Sequence, residues 1–159
     1  GERRKRKRAL EGERALLDAL PCAEMYERSY MHRDRVTHVA ATATDFLLSA
    51  SADGVLKFWK KAERGIEFVK QFQAHLGPLR ALAASPSGRY CATSGAGDGA
   101  VKVFDVVCFD MALMLKPRVQ PGCLCWVGRD TDPQLRLAVA DAASGAVEVY
   151  DAGSGEPEP

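Results

Sequence analysis

Residues 52–59, Ala-Asp-Gly-Val-Leu-Lys-Phe-Trp, set a pattern that returns 45 residues later and again 46 residues after that. The later copies are Gly-Asp-Gly-Ala-Val-Lys-Val-Phe-Asp at 97–105 and Ala-Ser-Gly-Ala-Val-Glu-Val-Tyr-Asp at 143–151. Each copy has a glycine-containing turn, a strand of alternating side chains and an aromatic residue at its end. A constant period of this length indicates repeats that bury their cores by stacking on one another.

The turns and apolar runs between the copies predict short antiparallel strands. The turn pairs Asp53-Gly54, Asp98-Gly99 and Ser144-Gly145 suit type I′ hairpins, because glycine tolerates the positive φ which that turn requires. Pro86-Ser87-Gly88 is a further turn signal. We predict strands at 35–42, 46–51, 55–60, 66–73, 78–84, 89–94, 101–105, 112–116, 123–127, 135–140 and 145–150.

A period of about 40–45 residues that ends in an aromatic–Asp pair is typical of WD40 blades. The prediction is therefore an all-β fold, a partial WD40 β-propeller of about three four-stranded blades over residues 32–73, 75–116 and 117–151. Since propellers close with about four to eight blades, we expect a fragment. Residues 9–31 are predicted to form a short lead-in helix and a closing strand. Residues 152–159 are predicted to be a flexible tail.

Charge is concentrated at the start of the chain. The net charge is +1, yet residues 1–8 alone hold six basic residues against one acid, so the remaining residues carry net negative charge. This disordered basic arm is a candidate nuclear-import signal; a non-specific contact with nucleic acid and no role at all are the alternatives. Its basic residues are Arg3, Arg4, Lys5, Arg6, Lys7 and Arg8.

Several classes of function lack their usual signals. Five cysteines show no CxxC pair and no zinc spacing, and the three histidines form no metal set, so no metal or cofactor is predicted. No run of about 18 apolar residues predicts a membrane span. A mildly acidic body does not predict specific nucleic-acid binding. We predict neither a small-molecule substrate nor a catalytic residue in this chain.

WD40 blades carry a buried relay in which Asp accepts from His, His meets a hydroxyl, and the hydroxyl meets Trp. By this resemblance, the first repeat matches all four positions and the second matches three, with Phe104 in place of Trp. The third repeat has no histidine there. A His–Ser–Asp set invites a catalytic interpretation, but no nucleophile elbow or oxyanion loop accompanies it. The predicted relay residues are His32, Ser49, Asp53, Trp59, His75, Ser94 and Asp98.

The segment that leads into the first repeat is less generic. Residues 25–34, Met-Tyr-Glu-Arg-Ser-Tyr-Met-His-Arg-Asp, followed by Val-Thr-His-Val at 36–39, resemble the start of the propeller in nuclear WD-repeat cyclophilins. Residues 57–61, Lys-Phe-Trp-Lys-Lys, and 65–70, Gly-Ile-Glu-Phe-Val-Lys, resemble them too. That family combines an N-terminal WD40 domain with a cyclophilin domain that has peptidyl-prolyl isomerase activity, and it is associated with spliceosomes.

The resemblance implies a nuclear protein-interaction scaffold whose partners are spliceosomal proteins. The Phe-His-Arg and Gln-Gly-Gly-Asp motifs of cyclophilins are absent, so no isomerase residue is assigned here. One alternative is an unrelated WD40 adaptor, such as a ubiquitin-ligase substrate receptor or a signalling scaffold. Another is an enzyme acting through this chain itself. Candidate contact loops for a binding propeller include residues 33–35 and 76–78.

Overall fold

The structure is a computed structural model that describes residue 15, residues 30–129, residues 131–132 and residues 134–158. The basic arm, most of the lead-in helix and most of the closing strand lie outside these ranges. Within residues 31–158 the chain forms strands β1 to β11: Val36–Ala41, Phe46–Ser51, Val55–Lys61, Ile66–Gln73, Leu79–Ala84, Tyr90–Gly95, Val101–Asp105, Asp110–Leu115, Pro121–Val127, Arg136–Asp141 and Val147–Asp151.

The strands form three antiparallel sheets in chain order, which we call blades one, two and three. Blade one is β1-β2-β3-β4, blade two is β5-β6-β7-β8, and blade three is β9-β10-β11. The first strands of successive blades adjoin, because β5 contacts both β1 and β9. Neighbouring blades therefore stack face to face, as the repeat period predicts.

Two hydrophobic clusters hold the stack together. The first lies between blades one and two and is rich in aromatic rings; Phe58 lies 6.2 Å from Phe104 and 5.7 Å from Phe72 between ring centroids. The second lies between blades two and three and includes Trp126 and Leu137. Blade two is covered on both faces, which explains why five of the six residues of β6 are buried.

The hairpin turns differ from the type I′ prediction. Gly54, Gly99 and Gly145 have φ of 84°, 60° and 71°, but among the described non-glycine residues only Asp45 and Phe109 have positive φ. A type I′ turn needs positive φ at both central residues. In blade one the Gly54 amide instead donates to the Ser51 carbonyl at 3.1 Å. The glycine thus closes a turn of type I character and takes the left-handed position after it.

The end of the described chain also differs from the prediction of a flexible tail without strand pairing. Tyr150 and Pro157 form an isolated antiparallel bridge, and the Glu158 amide donates to the Val149 carbonyl at 2.8 Å. Glu158 also pairs with Arg136 at 2.6 Å. Residues 152–158 fold back along β11, because the free edge of that strand offers unpaired backbone groups.

Candidate functional site: two buried relays and the loops they hold

The relay of blade one joins three of its four predicted residues. Trp59 Nε1 donates to Ser49 Oγ at 2.7 Å, and His32 Nε2 lies 2.7 Å from the same oxygen. Strand register explains the contact: Ser49 pairs with Lys57 and Leu47 with Trp59, so both relay side chains lie on one face of the sheet. The blade therefore has a Trp–Ser–His relay in which Trp59 and Ser49 are buried and His32 is half-buried.

Asp53 does not complete that relay. Its carboxylate accepts from the Ser51 hydroxyl and from the Val55 amide at 3.2 Å. The Nδ1 atom of His32 is buried without a partner. Burial, together with the nearby charge of Lys57, lowers the pKa of His32. The predicted Asp53–His32 bond is thus not formed, because the carboxylate is used within its own turn.

The relay of blade two is centred on His75, which is 1% exposed. Its Nδ1 lies 2.8 Å from Asp98 Oδ2, and its Nε2 lies 2.9 Å from Thr93 Oγ1. Burial lowers the pKa of His75 even though the Asp98 carboxylate opposes this. Burial also acts to raise the pKa of Asp98, but hydrogen bonds from His75 and the Ala100 amide lower it overall. A neutral imidazole between a carboxylate and a hydroxyl satisfies all three groups.

The sequence predicts Ser94 as the hydroxyl of this relay, but the structure places Thr93 there. Thr93 pairs with Lys102 across the sheet, as Ser49 pairs with Lys57, whereas Ser94 pairs with Val101. Ser94 therefore lies on the opposite face, and its buried Oγ has no hydrogen-bond partner. The hairpin between β6 and β7 is one residue longer than its counterpart in blade one. A hydroxyl placed ten residues before the aromatic position, as Ser49 is before Trp59, therefore falls on Ser94, one residue after Thr93.

Each relay lacks one of the four expected residues, and the missing residues are at opposite ends of the Trp–hydroxyl–His–Asp chain of hydrogen bonds. Blade one has the indole donor of Trp59 but does not use the Asp53 carboxylate. Blade two uses Asp98 but has Phe104, which offers no donor, so the relay ends at the Thr93 hydroxyl. Each blade consequently keeps a connected set of three hydrogen-bonding residues, and both histidines are held against a strand of their own sheet.

Sequence reasoning missed a pair of lysines that support the histidine loops. Lys57 Nζ donates to the Met31 carbonyl at 3.0 Å, and Lys102 Nζ donates to the Ala74 carbonyl. Each acceptor immediately precedes a relay histidine. Burial lowers the pKa of Lys57, which is only 5% exposed. Identical lysines at matched places in the first two repeats were the available signal.

Gly95 was also missed. A Cβ on this residue would lie 2.5 Å from Cγ of His75, so the imidazole occupies the space that a side chain would need. Gly95 is the last residue of β6, one place beyond the strand that the sequence predicts, so the sequence carries no strand-glycine signal for this close approach.

Blade three replaces the relay with a different contact. Glu148 stands where the first two repeats have lysine, and it accepts from Tyr150 Oη at 2.5 Å and from the Arg118 amide at 3.3 Å. Burial and the Glu148 carboxylate raise the pKa of Tyr150 to about 12. Glu148 thus holds the loop before β9 by accepting a hydrogen bond from a backbone amide of that loop. In the first two blades, the lysines instead donate to backbone carbonyls.

The loops held in this way lie at one end of the sheets. We call them the leading loops: residues 32–35 before β1, 75–78 before β5 and 117–120 before β9. Their carbonyls at Arg35, Pro78 and Gln120 accept from Ala52, Ala96 and Ala142 at 2.9, 2.9 and 2.8 Å. Each donor belongs to the hairpin turn of the same blade. The leading loops and those turns therefore form one surface.

The relay groups are arranged for structure. Ser49, Thr93 and His75 are buried and each is hydrogen-bonded within the relay of its own blade, so none presents an accessible nucleophile. Over the part of the chain that the structure describes, no three His, Cys, Asp or Glu side chains are placed to hold a metal ion. Within the same ranges no helix is long and apolar enough to cross a membrane.

Comparison with known proteins identifies the repeats. The family model described as WD domain, G-beta repeat matches residues 26–60 and 66–105. Peptidyl-prolyl cis-trans isomerase CYP71 of Arabidopsis thaliana is 52% identical over 157 residues, 99% of this chain and 25% of that protein. Human peptidylprolyl isomerase domain and WD repeat-containing protein 1 is 49% identical over 155 residues, 98% of this chain and 24% of that protein. The chain carries WD40 repeats and is homologous to about a quarter of the length of these isomerases.

The chain spans about a quarter of the length of these relatives. Among solved structures, the β-propeller domain of Myceliophteria thermophila Cps50 (Swd1) matches 76% of this chain and 39% of its own, with a TM-score of 0.62 and 17% identity. At that identity the match concerns the fold alone. The predicted all-β partial propeller and the family resemblance are both confirmed.

Proposed function

We propose that this chain is the protein-docking part of a nuclear WD-repeat peptidyl-prolyl isomerase, and that it attaches the enzyme to spliceosomal proteins. The observation that carries this is 49% identity, across 98% of this chain, to mouse and human proteins named for both an isomerase domain and WD repeats. Isomerisation itself is assigned to a part of the protein outside these residues.

The interior of the blades supports a scaffold rather than an enzyme. The imidazole of His75 is fully shielded by its own blade, with both nitrogens engaged. A proline-isomerising site must expose polar groups to a peptide. The buried relays instead stabilise the loops that carry the surface, which is the arrangement a docking propeller needs.

The nuclear and spliceosomal parts of the proposal rest on the family resemblance and on the basic arm at residues 1–8. Six basic residues in that arm suit an import receptor. An arm that contacted RNA phosphates would show an affinity that falls steeply with salt. We assign the arm to import and assign partner choice to the blades.

The test uses the natural protein that contains this chain, purified through a tag from nuclear extract under moderate salt. We expect spliceosomal proteins to be enriched by mass spectrometry, with and without RNase treatment. Recovery of ubiquitin-ligase or signalling components instead would favour the unrelated-adaptor alternative. Loss of every partner on RNase treatment would contradict protein docking. A prolyl-isomerisation assay on this chain alone should give no rate above the uncatalysed reaction.

A further inference from the structure

Leu76 is the most exposed of the large apolar side chains that the structure describes, at 88%. It lies in the second leading loop, directly after the buried His75. We propose that Leu76 is the apolar anchor of the docking surface, and that it inserts into a protein partner with an apolar socket bordered by carboxylates. This inference rests on the proposed docking function and names the surface that performs it.

The backbone on both sides of Leu76 is fixed. The amides of Ala74 and His75 donate to the Gly54 carbonyl at 3.0 and 3.2 Å, and the His75 carbonyl accepts from Gln73 Nε2 at 2.9 Å. On the other side, the Pro78 carbonyl accepts from the Ala96 amide. A side chain presented on a rigid loop loses little backbone entropy on binding, which is a property of good anchors.

The positions equivalent to Leu76 in the other two leading loops are both basic. They are Arg33, directly after His32, and Arg118, directly after the residue that replaces the histidine in blade three. Both side chains are exposed, as is that of Arg35. Among the ion pairs of the described residues, none uses these three guanidinium groups. The anchor is therefore flanked by positive charge on both sides.

The carboxylates at this end of the sheets are turned into their own loops. Asp53 accepts from Ser51 and Val55, and Asp98 accepts from His75. In the third turn, Asp141 accepts from the Gln120 amide at 3.0 Å and from the Ser144 amide at 2.8 Å. Asp34, the exposed acid between Arg33 and Arg35, accepts from the Arg35 amide at 2.6 Å. The three exposed arginines outnumber it, so the outward charge is positive, which fits an acidic partner. A phosphate backbone would be attracted to the same charge, but it offers no apolar surface to the leucine that protrudes between the arginines.

The chain offers a matched control at the opposite end of the sheets. Val107 is 52% exposed and lies in the turn between β7 and β8. Because β7 runs away from the hairpin turn of its blade, this turn lies at the far end from the leading loops. A photo-reactive amino acid placed at 76 or at 107 of the natural protein therefore samples the two ends separately.

In nuclear extract, we expect the probe at 76, but not at 107, to cross-link to a protein segment with apolar residues bordered by Asp or Glu. With that partner purified, Leu76→Glu should weaken binding roughly 30-fold, the size of a hot-spot loss. Val107→Glu should leave binding unchanged. Arg33→Gln and Arg118→Gln should slow association and reduce its dependence on salt.

The inference is overturned if position 76 yields no cross-link, cross-links to RNA or reaches a basic segment, or if Leu76→Glu binds as tightly as the unchanged protein. In these cases docking on spliceosomal proteins can still hold through another surface. If position 76 cross-links to an acidic partner that is not spliceosomal, the docking surface is supported and the proposed function fails.

Discussion

Gly95 and His75 are in contact at a place where no side chain fits on the glycine, since a Cβ there would lie 2.5 Å from Cγ of the imidazole. Gly97, two residues further along, has only the Gly77 amide within 4.0 Å of the equivalent point. The two glycines therefore differ in how far packing constrains them, although both lie in the β6–β7 hairpin region.

We expect Gly95→Ala to destabilise the protein by about 1–3 kcal/mol, because the imidazole must move and its hydrogen bonds must lengthen. Gly97→Ala should be neutral or slightly stabilising, because it removes freedom from the unfolded chain without a clash. Urea unfolding of the natural protein followed by tryptophan fluorescence measures both. Equal effects of the two substitutions would show that the imidazole does not fill this space.

The second prediction separates Thr93 from its neighbour. Thr93→Val keeps the shape of the side chain but leaves Nε2 of His75 buried without a partner, which should cost about 1–3 kcal/mol. Ser94→Ala removes a buried oxygen that has no partner, so it should be neutral or stabilising. Thermal unfolding of the two variants gives the order. If Ser94→Ala proved the more damaging change, Ser94 would be the relay hydroxyl after all.

The third prediction concerns pH. Burial lowers the pKa of His75 below its ordinary 6.5, so the unfolded chain binds a proton in a range where the folded chain does not. Stability from this residue is therefore fully present above about pH 6.5 and decreases as the pH falls toward the folded pKa. His32, whose pKa is also lowered, acts in the same direction. We expect the unfolding free energy to decrease between pH 7 and pH 5.5.

His75→Gln should flatten part of this dependence, and urea titrations at several pH values measure the slope. The ring signals of His75 in an NMR titration provide a second readout on the unchanged protein, with a midpoint below 6.5. A midpoint above 6.5 would mean that Asp98 outweighs burial, and stability would then respond to pH with the opposite sign.

The fourth prediction uses the cysteines. Cys91 is buried in the cluster between blades one and two, and burial raises the pKa of its thiol to about 12. Cys108 is exposed in the turn after β7. Alkylation at pH 8 should modify Cys108 rapidly and Cys91 only after unfolding, because the thiolate is the reactive form. Mass mapping of the alkylated peptides checks this; rapid native labelling of Cys91 would mean that the blades separate.

Much of the fold followed from the repeat pattern. Strands β2, β4 and β7 have the bounds that turn signals and alternation predicted, namely Phe46–Ser51, Ile66–Gln73 and Val101–Asp105. β2 and β7 adjoin the Asp53-Gly54 and Asp98-Gly99 turns, and β4 follows Gly65. Such local signals need no knowledge of the neighbouring blades.

The finer parts of the site depend on geometry that spacing does not encode. One extra residue in a hairpin shifted the hydroxyl position from Thr93 to Ser94 and so moved it to the other face of the strand. The use of Asp53 within its own turn depends on the competing Ser51 hydroxyl, which the relay pattern ignores. Residues 152–158 have a composition typical of a flexible tail, yet the open edge of β11 pairs with them.

If this chain docks the protein and catalysis lies elsewhere, one measurement tests both statements. The natural protein and a version lacking residues 31–158 are compared in nuclear extract for sedimentation with spliceosomes and for prolyl-isomerase activity. We predict that the deletion abolishes co-sedimentation and leaves the isomerase rate unchanged. A deleted protein that still sediments with spliceosomes would contradict docking by this chain, and one that loses its isomerase activity while remaining folded would contradict catalysis elsewhere.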